Sequence, residues 1–171
     1  MWRYLYLDFD GVLHHHDVYL VHRRPVCRVG QLFAHCSLLI PVLAEWTDLR
    51  IVLSSSWVRV KGFGRAKKQL PEEIQNRVIG ATWHSAMRGA AWNNGMYWTQ
   101  GQSEYAFSRL SRYVQIVRDV ERRGAVRWLA LDDDDEGWPD EARHHLVHCE
   151  PTLGLAEEGK IAELRARLAA L

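Results

Sequence analysis

The sequence predicts an α/β domain: a Rossmann-like, mainly parallel sheet with helices on both faces. Short, nearly continuous apolar runs alternate with segments of helical periodicity, the pattern of strands buried on both sides. Three of these runs stop abruptly in Asp or Ser clusters, at Asp8, Ser54 and Asp132. In a parallel α/β sheet the ligand site lies beyond the carboxyl ends of the strands, so residues distant in sequence converge there.

Taken in order, Arg3 to Leu7 reads as a buried strand that ends in Asp8-Phe9-Asp10-Gly11. From Gln31 to Trp46, Leu32, Phe33, Cys36, Leu39, Leu43 and Trp46 recur at helical spacing, with Pro41 placed to kink or split the helix. Arg50 to Leu53 is a second strand, closing in Ser54-Ser55-Ser56-Trp57. Pro71 to Asn76 suits a short helix and Val78 to Trp83 a third strand. A Gly- and Trp-rich stretch from Gly89 to Gln102 carries no clear period. Tyr105 to Arg123 reads as a helix stopped by Gly124, and Val126 to Leu131 as a strand running into four aspartates. Leu146 to His148 is the last strand candidate, and Ala156 to Leu171 a closing amphipathic helix.

Bulk properties narrow the class. A chain of 171 residues fits one domain, 1–171, with room for a small lid or insertion at about 65–102. Hydrophobic residues at 47% and charged residues at 25% match an ordinary globular protein and argue against disorder. A formal net charge of +1 exerts no global pull on nucleic acid or membrane, so any such pull must be local. Three cysteines without C-x-x-C spacing suggest neither a disulfide framework nor a zinc site, and fit a cytoplasmic, reducing location. No signal peptide or bilayer-length apolar run is evident, so no membrane partner is expected. Nothing points to an obligate protein partner.

Asp8 and Asp10 are the strongest local signal. Two carboxylates one residue apart at a strand end, followed by glycine, can face a phosphorus atom and its leaving group respectively. A calcium-binding turn is the bland alternative, but an EF-hand loop needs ligands out to its twelfth position, and here Val12 and Leu13 follow.

Asp8-Phe9-Asp10-Gly11-Val12-Leu13 resembles the first motif of the haloacid-dehalogenase (HAD) superfamily, D-x-D-G-[VT]-L after an apolar strand. Ile51 to Ser56 is similar to the second motif, and Leu129 to Asp133 to the fourth. The third motif, usually a lysine, is represented by Arg112, with Arg109 as a rival. The run Asp8 to His14, Ser54-Ser55-Ser56-Trp57, Leu131 to Asp134 and the late Gly154-Leu155 resemble the small bacterial HAD domains of RNA-repair-associated ("Swiss Army Knife") proteins. The resemblance implies a HAD-type phosphatase, with minimal or no cap because little chain separates the first two motifs.

It also implies roles. Asp8 would attack phosphorus to form an aspartyl-phosphate, and Asp10 would protonate the leaving oxygen and later activate water. Ser55, or Ser54 if the strand ends earlier, would donate to a phosphoryl oxygen, and Arg112 would add fixed positive charge. Asp8, Asp132 and Asp133, with the backbone carbonyl of Asp10, would hold Mg²⁺, since such acids cannot gather unpaired without a large electrostatic cost. Lys61 and Trp57, in the basic and aromatic run from Trp57 to Lys68, together with Ser54 and Ser56, are candidates for binding substrate; a solvated loop explains that run nearly as well. Trp92, Tyr97 and Trp98 suit either a lid or an irregular packed loop. His14, His15 and His16 are read as a solvent-facing loop.

The favoured expectation is a magnesium-dependent phosphomonoesterase acting on nucleotides or on RNA or DNA ends. A protein or small-metabolite phosphatase is the alternative, and a HAD-like binding module without turnover is the alternative of another class.

Overall fold

Strand β1 (Arg3–Leu7) sets the logic of the fold, because successive side chains leave opposite faces of a strand. Leu5 and Leu7 join one apolar cluster while Tyr4 and Tyr6 join a second. Its neighbours β4 (Leu49–Leu53) and β8 (Trp128–Asp132) repeat the alternation. Ile51, Leu53, Leu129 and Leu131 face the first cluster, and Val52, Ala130 and Trp128 the second. A sheet buried on both faces needs covering layers on both sides.

The computed structural model describes residues 1–22, 24–84 and 107–171, and the backbone of 92–93 and 96–97. Its main sheet is parallel, in the order β5-β4-β1-β8-β9, with β5 at Val78–Ala81 and β9 at Leu146–His148. Helices α1 (Cys36–Glu45) and α6 (Lys160–Ala170) cover the first face through Leu39, Val42, Leu43, Leu164 and Leu168. Helix α5 (Arg112–Arg123) covers the second through Ile116, against Tyr6, Trp128 and Trp138. On that face the buried Tyr6 hydroxyl donates to Asp119, which also takes ion pairs from Arg122 and Arg123.

The strand order places β1 at the switch point. From β1 the chain moves outward through β4 to β5, then returns to the other side of β1 for β8 and β9. Short helices α2 (Ser56–Lys61), α3 (Phe63–Lys67) and α4 (Glu72–Gln75) link β4 to β5. Val58, Ala66, Leu70 and Ile74 are buried in the first core, so residues 65–84 belong to the body of the domain rather than to a lid. Apart from the backbone of 92–93 and 96–97, the remainder of the expected lid, including the side chains of Trp92, Tyr97 and Trp98, lies outside the described residues. There the backbone of β6 (Trp92–Asn93) pairs antiparallel with β7 (Met96–Tyr97).

Two helix starts and one hairpin differ from the sequence expectation. Helix α1 starts at Cys36 rather than near Gln31, because Phe33 takes a left-handed φ of +61°. Pro41 lies within α1 without ending it. Helix α5 starts at Arg112, after non-helical residues 109–111 that separate it from helical residues 107–108. Ser111, extended at ψ 157°, caps it by accepting from the Val114 amide at 3.4 Å, and Tyr105 lies outside the described residues. An antiparallel hairpin, β2 (Val18–Val21) with β3 (Arg24–Cys27), follows the first motif and was not expected.

Candidate active site

The strand register brings the chemistry together. Leu7 pairs with Leu53 on one side and Leu131 on the other, so Asp8, Ser54 and Asp132 emerge side by side at one edge of the sheet. The Asp8 amide donates to the Leu131 carbonyl at 3.1 Å, and the Ser54 amide to the Leu7 carbonyl at 2.8 Å.

Asp8, Asp132 and Asp133 each offer a carboxylate oxygen within 4.8 Å of the others. Asp8 and Asp132 are buried and Asp133 is half-buried. Gly11, at φ +67°, makes this approach possible, since a Cβ there would lie 2.0 Å from Asp133 Oδ2. The Arg112 guanidinium faces the cluster, donating to Asp8 Oδ2 at 2.7 Å and standing 3.0 Å from Asp132 Oδ2. The second contact is a charge pairing without hydrogen-bond alignment, so the buried Oδ2 of Asp132 has no hydrogen-bond donor.

Electrostatics follow from this crowding. Burial raises the Asp8 pKa, against the opposing pull of Arg112, the Phe9 amide and the Ser55 hydroxyl. Burial and the neighbouring Asp8 raise Asp132 well above the usual range, and the same causes lift Asp133 to about 6. Burial works against the charge on Arg112, but Asp8 and Asp132 outweigh it and hold the guanidinium protonated. One arginine therefore does not neutralise three acids. The carboxylate charge in excess of Arg112, the lack of a hydrogen-bond donor on buried Asp132 Oδ2 and the all-oxygen donor set fit a hard divalent cation of the Mg²⁺ type.

Asp10 stands apart from this cluster. Trp57 Nε1 donates to its two carboxylate oxygens at 2.9 and 3.0 Å, and His14 Nε2 lies 3.0 Å from Oδ1. Ser55 is buried and caps α2 through the Trp57 amide. Ser54 is buried with its hydroxyl unpartnered, while Ser56 is exposed. A cavity of about 200 Å³ opens beside Ser55 and Arg112 and is also lined by Ser56, Arg59, Thr82, Trp83 and Asp134. A larger cavity, about 450 Å³ between Phe63, His84 and Arg123, touches none of the acids. The smaller one shares residues with the chemistry and is the relevant space.

Several expectations change here. Trp57 is buried against Phe9, His14 and Phe33 and serves Asp10, so it offers no stacking surface to a substrate. Lys61 lies over the Trp57 ring at 4.8 Å, and Lys67 donates to the Val78 carbonyl, so part of the basic run is structural. Arg112 rather than Arg109 contacts the acids; Arg109 is exposed on the preceding turn. His14 is buried, not solvent-facing, because its ring packs between Phe33 and Trp57. Its sequence signal was position: His14 lies four residues after Asp10, directly behind Val12-Leu13.

A family model described as the HAD domain in Swiss Army Knife RNA repair proteins matches residues 4–159. The chain belongs to this family. The match spans all five strands of the parallel sheet and the whole acidic cluster, and it makes the chain a HAD-type hydrolase domain. No curated protein and no solved structure matches the chain. Among the described residues of this HAD domain, no helix is long and apolar enough to cross a membrane.

Proposed function

We propose that this HAD domain is a Mg²⁺-dependent phosphomonoesterase that acts through an aspartyl-phosphate on nucleotide or nucleic-acid terminal phosphates. The observation that carries the reading is the arrangement around Asp8: a strand-end carboxylate flanked by Arg112 and two further acids, with a second carboxylate, Asp10, held just outside the cluster.

An Asp8 carboxylate oxygen attacks phosphorus while the bond to the leaving oxygen breaks. Asp10, as general acid, delivers a proton to that oxygen, so the alcohol departs neutral. Water then attacks the aspartyl-phosphate and gives a proton to Asp10, and the acyl-phosphate P–O bond breaks to release inorganic phosphate and restore Asp8. Ser55 and Arg112 donate to the equatorial phosphoryl oxygens and favour the transition state. Mg²⁺, held by Asp8, Asp132 and Asp133, would neutralise charge on the transferring group. The dehalogenases of the superfamily lack an acid at the second position, since halide leaves without a proton; Asp10 therefore favours phosphate esters.

The family's description supports the nucleic-acid side of the reading. The test is phosphate release from aryl phosphates, mononucleotides and 3′- or 5′-phosphorylated oligonucleotides. Turnover should require Mg²⁺ and disappear in Asp8→Asn, with oligonucleotide ends preferred. Preference for phosphopeptides or small metabolites would move the substrate class. Absence of turnover in folded, Mg²⁺-binding protein would favour a binding module.

A further inference from the structure

His14 sits in an aromatic box. Its ring is edge-on to Phe33 at 4.8 Å and to Trp57 at 5.9 Å, and Phe9 packs against both of those rings. A fully enclosed histidine in an apolar box must satisfy both ring nitrogens. The Phe33 amide donates to His14 Nδ1 at 3.3 Å, which makes Nδ1 the acceptor. The proton is therefore on Nε2, and Nε2 donates to Asp10 Oδ1 at 3.0 Å.

Phe33 supplies that amide from a left-handed backbone, φ +61°, which a bulky residue adopts only under constraint. On the other side of Asp10, the buried Trp57 Nε1 bridges both carboxylate oxygens. Trp57 is fixed in turn by the α2 cap, where its amide donates to Ser55. Oδ1 thus takes two donors and Oδ2 one shared donor, which leaves Oδ2 with the more open lone pairs.

We propose that His14 and Trp57 are positioning residues that hold the Asp10 carboxyl in one orientation, with Oδ2 as the oxygen that exchanges a proton with the leaving group. This rests on the phosphatase reading above. Without the two donors, Asp10 is an ordinary side chain free to change rotamer beside the cluster. With them it is set in advance, which is where the advantage of an oriented acid originates.

Leaving-group dependence tests this. Trp57→Phe and His14→Phe remove the donors and retain aromatic bulk, whereas His14→Gln keeps an N–H at similar reach. Each is compared with wild type and Asp10→Asn on 4-nitrophenyl phosphate, whose leaving group needs little proton assistance, and on a simple alkyl phosphate, whose leaving group needs it. In kcat/KM, which covers only the steps through departure of the leaving group, the donor-less variants should lose about tenfold more on the alkyl ester than on the aryl ester, with His14→Gln partly restored. Equal losses on both esters would mean general damage to the fold, and no loss would mean an idle contact; either overturns the proposal. If wild type hydrolyses neither ester, the phosphatase reading fails and the proton-transfer role with it. The hydrogen-bonded clamp is then decided separately by ¹⁵N–¹H spectra. It requires His14 as the Nε2–H tautomer and a Trp57 indole resonance that moves in Asp10→Asn. An Nδ1–H tautomer or an unmoved indole resonance overturns the clamp.

Discussion

Gly11 shows how much a single residue decides in this site. Its φ of +67° is the left-handed region that favours glycine, and its missing side chain is the space that Asp133 Oδ2 occupies. Gly11→Ala would set a methyl group 2.8 Å or less from three atoms of Asp133, in addition to backbone strain of about 1–2 kcal/mol. Calorimetry of Gly11→Ala should show Mg²⁺ affinity reduced by roughly tenfold or more. Gly62→Ala is the control, because Gly62 shares the positive φ but has nothing within 4 Å of the added Cβ. It should lose some stability and keep the metal affinity; equal effects at both positions would contradict the packing argument. The acids themselves were legible from the sequence because each follows an apolar strand. His14 was not, since three adjacent histidines look alike until the fold buries one of them.

At the scale of elements, the N-terminus of α5 governs how Arg112 meets the acids. Ser111 ends the preceding turn, caps the helix through the Val114 amide, and makes Arg112 its first residue. The helix is otherwise strongly amphipathic, with Ile116 buried and Gly124 closing it at φ +61°. Ser111→Ala should destabilise the protein by about 1 kcal/mol, the usual value of a lost cap, seen as a lower urea midpoint at unchanged slope. Periodicity located the body of this helix but not the break at 109–111, because helical periodicity does not register a cap that lies inside a polar stretch. The β2–β3 hairpin escaped for a related reason. Tyr19, Leu20 and Val21 are all exposed, so no alternation marks β2 as a strand, and its turn includes His22 at φ +48° instead of a glycine.

For the whole molecule, the acidic cluster links stability to pH and to metal. Asp8, Asp132 and Asp133 all have pKa values raised by burial, with Asp133 at about 6 against 3.8 for an unfolded aspartate. The folded state holds these protons more tightly than the unfolded chain. Their contribution to stability is therefore full below the unfolded value and is lost as pH rises through the folded values. In cation-free protein the contribution of Asp133 should be lost as pH rises from roughly 4 through about 6, and those of Asp8 and Asp132 are likewise lost as pH rises. Under the proposed function Mg²⁺ would bind the ionised acids, so in thermal melts it should raise Tm strongly at roughly pH 7.5 and little at roughly pH 4.5. At a hundredfold excess over Kd the stabilisation should be about 2.7 kcal/mol. An equal Tm shift at both pH values would show that the cation binds elsewhere.

The sequence by itself determined the fold class, the buried strands at the heart of the sheet and the identity of the acids. These depend on local pattern: an apolar run long enough for one strand, then a residue type that cannot remain in the core. Tertiary structure decided which polar groups meet. Asp10 finds its partners in His14, four residues away, and in Trp57, 47 residues away, across the aromatic box. Arg112 reaches Asp8 across 104 residues. No periodicity encodes such pairings. They follow from strand order and register, which placed β1 between β4 and β8 and turned three separate strand ends into one site.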